Sequence, residues 1–116
     1  MVDTPVADTG LCLVYMTAPD IEMARQIGKS LVNARLAACV NLIPGMRSIY
    51  RWENEDCEDS EVVIIAKTRR ERLDGITATV TKIHKYDCPC VVAVPIEAGH
   101  QAFLNWIKCE TVDELR

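Results

Sequence analysis

Apolar residues along the chain follow two rhythms, and the changes between them mark out the elements. Leu11 to Met16, LCLVYM, is a short continuous apolar run suited to a strand covered on both faces. Ile21, Ala24, Ile27, Gly28 and Leu31 then recur at helical spacing behind Pro19, which a first turn tolerates, and Asp20, which suits the helix dipole. They predict an amphipathic helix ending near Asn33. Ala37 to Ile43 returns to a strand pattern, Pro44-Gly45 is placed to bend or bulge it, and Ser48 to Trp52 carries it on. The acidic segment ENEDCEDSE, starting at Glu53, reads as a solvated turn, and Glu61 to Thr68 as the returning strand of a long hairpin. Thr68-Arg69-Arg70-Glu71 has the form of a capping box, and Leu73, Ile76, Val80 and Ile83 follow at helical spacing to about His84. Cys90 to Pro95 predicts a fourth buried strand, and Gln101 to Cys109 a short helix carrying Phe103, Trp106 and Ile107 on one face.

The order strand, helix, strand, strand, helix, strand, short helix is that of an α+β, ferredoxin-like split βαβ sandwich with right-handed crossovers. It predicts a flexible segment over 1–10, a single domain over 11–111 and a tail over 112–116. One element is out of proportion. The arm from Leu36 to Trp52 would span about 50 Å fully extended, whereas a compact chain of this length has a radius of gyration of roughly 13 Å. Tyr50, Arg51 and Trp52 lie at its far end, and such residues anchor interfaces. A second subunit is expected to cover them.

Composition supports assembly and narrows the function. Hydrophobic residues make up 49% of the 116, a surplus that buried subunit interfaces would absorb. The net charge of −4 argues against a nucleic-acid partner, which requires clustered Lys and Arg. No segment approaches the length of a membrane span, and the opening residues lack the apolar core of a secretory signal. A cytoplasmic protein with its six cysteines reduced is expected.

His84-Lys85-Tyr86-Asp87-Cys88-Pro89-Cys90 holds the densest set of potential metal ligands. Imidazole and thiolate suit copper or zinc better than magnesium or calcium. The spacing matches no common zinc module, and the same residues fit a dipole-favoured histidine at a helix end beside buried thiols. Cys39 reads either as a small core residue or as a soft ligand. There is no glycine-rich phosphate loop, GxSxG or HExxH, so an enzyme is not expected.

The motifs LAACVN at 36–41, SIYRW at 48–52, EVVIIAKTR at 61–69, HKYD at 84–87 and FLNWI at 103–107 closely resemble the CutA family of divalent-cation tolerance proteins. The resemblance implies a homotrimer whose long hairpins pack on neighbouring subunits, with a cleft between subunits involving Cys39, Trp52, Lys67, His84, Tyr86 and Asp87. It also implies binding of divalent metal ions, Cu(II) first and Zn(II) second; His84 is the first candidate ligand and Cys39 the next, with Asp87, or Cys90 on the strength of its own thiol, as a third. The chain departs from the family pattern at Lys85, at Asp87 and at Cys90, which stand where Pro, Glu and Glu are usual. A different reading, by analogy with trimeric PII-like signalling proteins, has Lys67 and Arg69 binding a small anion or nucleotide in the same cleft.

Overall fold

Asp20 starts the first helix, because its carboxylate accepts the Met23 N–H at 2.8 Å and satisfies a donor that the helix leaves free. The computed structural model describes residues 8–112. Its elements are β1 (Leu11–Ala18), α1 (Ile21–Asn33), β2 (Cys39–Trp52), β3 (Glu55–Arg69), α2 (Leu73–Ile83), β4 (Val91–Pro95) and α3 (Gln101–Glu110). The strands form one antiparallel sheet in the order β2-β3-β1-β4, the ferredoxin-like arrangement expected from the sequence.

Alternation along the strands separates two faces. Cys12, Val14, Met16 and Ala18 of β1, with Val62, Ile64 and Ala66 of β3, form one core with Met23, Ala24, Ile27 and Leu31 of α1 and Ile76 and Val80 of α2. Leu104 and Ile107 bring α3 down onto Leu11 at the end of the sheet. Phe103 and Trp106, which the spacing places on one helical face with Ile107, pack on each other at 5.5 Å between centroids and stay exposed. Two helices cover one face of the sheet. The opposite face carries Tyr15, Ile43, Val92 and Val94 in the open, Val92 at 53% and Val94 at 49% exposure.

The hairpin is longer than the pattern suggested. Pro44-Gly45 does produce an irregularity, with the register shifting between Ile43 and Met46 and Gly45 at φ 85°. The acidic segment is strand rather than turn. Only Glu53 and Asn54 make the bend, both at positive φ as a two-residue hairpin turn of twisted strands requires. Cross-strand partners make this possible: Arg47 pairs with Glu58 at 2.9 Å, Arg51 with Asp56 at 3.0 Å, and the Tyr50 hydroxyl donates to Asp59, which relieves the repulsion among the acids. Ile49 at the tip is 78% exposed, and the radius of gyration, 15.7 Å, exceeds the compact expectation.

The capping box does not form. Thr68 is a buried strand residue whose hydroxyl donates to the Leu36 carbonyl at 2.6 Å, a 3-10 turn fills Arg70–Arg72, and α2 starts without a side-chain cap. At the N-terminal end, Asp8 is held by Arg70 at 2.7 Å and Thr9 bonds to the Ile96 carbonyl, so the last part of the segment expected to be flexible is anchored. Its first seven residues, and 113–116 of the tail, lie outside the described residues.

Candidate functional site

Helix α2 ends at His84, whose N–H reaches the Val80 carbonyl at 2.8 Å before the chain turns away toward β4. The imidazole is buried and used at both nitrogens. Nε2 lies 2.8 Å from the Thr17 carbonyl, which can only accept, so Nε2 carries the proton. Nδ1 accepts the Tyr86 N–H at 3.1 Å. The ring is therefore a neutral pin joining β1 to the 84–90 segment, with the Tyr86 ring packed on it at 4.5 Å between centroids.

In front of this pin lies a cleft of about 590 Å³ on the open side of the sheet. Tyr15 and Thr17 of β1 form its floor, Ser48, Tyr50, Trp52 and Glu61 of the hairpin one wall, and Tyr86, Asp87, Cys88 and Cys90 the other. Glu61 is 8% exposed, its oxygens accepting from Ser48 at 2.5 Å and Tyr86 at 3.0 Å. That pair of bonds ties the hairpin base to the segment after α2. Burial, then the Glu61 bond, pushes the Tyr86 phenol up to about 12, and burial, then Glu61 and Cys88, pushes the Cys90 thiol up. The floor, the Glu61 tie and the His84 pin together define the cleft.

Residues 12–110 match the family model described as CutA1 divalent ion tolerance protein. The chain belongs to the CutA1 divalent ion tolerance family. A solved CutA1-family structure from Thermus thermophilus superposes with a TM-score of 0.86 at 41% identity, covering 88% of this chain and 99% of its own. The rice CutA1 structure does so at 0.86 and 39%, covering 90% and 95%. Among curated relatives, Protein CutA, chloroplastic, of Arabidopsis thaliana is 42% identical over 85% of this chain and 54% of its own length. The chain thus spans about half the length of the plant CutA relatives that it matches.

The cleft gathers some of the residues expected from the CutA resemblance and not others. Asp87, Cys90, Trp52 and Tyr86 line it, and His84 stands directly behind. Cys39 and Lys67 lie further along the open face, where the Lys67 ammonium donates to Asn41 and approaches the Cys39 sulfur at 3.7 Å. Among the described residues no three or more His, Cys, Asp or Glu side chains converge as a metal-holding group. Arg69 spends its guanidinium on the Lys108 carbonyl, at 2.8 Å through Nη2, so the anion clamp imagined for Lys67 and Arg69 is committed elsewhere. Glu61 and Ser48 are site residues that sequence reasoning missed.

The Tyr86 phenol provides a direct check on the Glu61 tie. The folded state holds this proton above the ordinary value of 10.0, so the stability it contributes is full below that pH and lost as pH rises through about 12. In Glu61→Gln one of its causes is gone, and spectrophotometric titration, assigned with Tyr86→Phe, is expected to show a lower midpoint. An unmoved midpoint would remove the tie from the account.

Proposed function

We propose that this CutA1-family chain works as a homotrimer that binds divalent metal ions in clefts between subunits, Cu(II) ahead of Zn(II), and contributes to cation tolerance without catalysing a reaction. The observation that carries the reading is the pairing of an uncovered apolar sheet face with donors that do not converge inside one chain. A neighbour would cover the first and complete the second. In this reading Asp87 and Cys90 supply donors from the cleft, Cys39 comes from a neighbouring sheet face, and His84 joins only by releasing the Tyr86 N–H from Nδ1. Trp52, Lys67 and Tyr86 line the intersubunit cleft. Tighter binding of Cu(II) than of Zn(II) follows from the ordinary affinity order of mixed N, O and S sites.

Relatives' names speak of tolerance to divalent cations and name no reaction. Among the described residues no helix is long and apolar enough to cross a membrane. Six free thiols suit a reducing compartment, and we place the protein in the cytoplasm.

Anaerobic calorimetry of the reduced protein tests the site, with Zn(II) as the ion that cannot oxidise thiols. Asp87→Ala and Cys39→Ser are each expected to lower affinity roughly tenfold or more, as ligand-shell losses do. Binding no tighter than millimolar, or binding that both variants leave unchanged, would overturn the reading.

A further inference from the structure

The divalent-ion reading uses Cys90 but gives no role to Cys88, its neighbour across Pro89. Cys88 and Cys90 line the same cleft, whereas Cys12 is buried in the core, Cys39 sits beside Lys67, Cys57 is on the hairpin and Cys109 on α3. All six thiols are free. Proline at 89 disfavours a helical backbone at Cys88, and the segment runs directly into β4, so the two thiols belong to alternate positions of a non-helical stretch.

We propose that Cys88 and Cys90 form a site for a soft monovalent ion, Cu(I), held between two thiolates. The chemistry of the donor set selects this ion. Zn(II) takes four ligands in structural sites and three plus water in catalytic ones, and no group of three donors converges among the described residues. Thiolates prefer soft ions, and Cu(I) is satisfied by two of them.

Binding forms two S–Cu bonds, breaks two S–H bonds and releases two protons, with copper remaining Cu(I) throughout. Glu61, Asp87 and Lys85 line the same cleft; the bis-thiolate complex carries one net negative charge, so Lys85 favours it, whereas the two carboxylates oppose it and make uptake steeper with pH. Cys88 is exposed, which gives the ion a way in. This site goes beyond the divalent-ion reading and stands without it.

The test is anaerobic competition of the full reduced chain against a chromophoric Cu(I) chelator. The protein is expected to withdraw about one Cu(I) per chain, and Cys88→Ser and Cys90→Ser each to weaken it by roughly a hundredfold or more, above the loss seen when only an outer partner is removed. Cys39→Ser, Cys57→Ser and Cys109→Ser should leave it unchanged. Cys88→Ser changes an exposed side chain, so it should keep its fold and its Zn(II) calorimetry, which separates failure of this site from failure of the divalent one. Retention of Cu(I) by Cys88→Ser, or its loss in Cys39→Ser, would overturn the proposal.

Discussion

Val92→Asp is expected to leave a folded chain that no longer assembles. Val92 pairs with Tyr15 across β4 and β1, and Tyr15 pairs in turn with Ile65 of β3, so this row crosses the open face. The side chain points away from the core that α1 and α2 seal, and its replacement should cost the isolated subunit little. In an assembly that covers this face, each copy would bury a carboxylate at a cost of several kcal/mol. With every subunit affected, association should weaken by several orders of magnitude. Sedimentation velocity at micromolar concentration should show monomer beside a trimeric parent, with unchanged far-ultraviolet circular dichroism. A Val92→Asp protein still sedimenting as a trimer would mean that the open face is not the assembly face.

The elements whose apolar rhythm is internal to a segment were legible in the sequence. Helix α1 ends at Asn33 as its spacing predicts, and the strand order follows from the alternation of strands and helices. What escaped depended on partners distant along the chain. The acids after Trp52 read as a turn because a run of like charge usually faces water, and Arg47 and Arg51, which neutralise two of them, act only once the strands pair. Thr68 had the local form of a cap, but its place in β3 turns its hydroxyl to Leu36. Glu61 lay at the edge of the same acidic run, and no local signal marks the two hydroxyls that bury it. The cleft itself was half legible. The 84–90 segment stands out by composition, whereas only the family resemblance joins Cys39 and Lys67 to it, and they lie apart from it within one chain.

Loss of His84 should be felt first in stability. His84→Ala leaves the Thr17 carbonyl and the Tyr86 N–H without their partner and opens a gap against the Tyr86 ring. Unmet buried polar groups and a cavity together cost about 2–4 kcal/mol. At fixed protein concentration, which matters for any oligomer, the melting temperature should fall by about 10 °C or more. His84→Gln separates the pin from a metal ligand. Its amide can still donate toward the Thr17 carbonyl, so part of the lost stability should return. If the histidine acts by holding the 84–90 segment, metal affinity should recover in step with stability, because Asp87 and Cys90 regain their places. If it binds the ion itself, His84→Gln should recover stability while affinity stays low, since an amide is a far poorer donor than imidazole to copper. Melting curves and calorimetry on the same pair of variants decide between these roles.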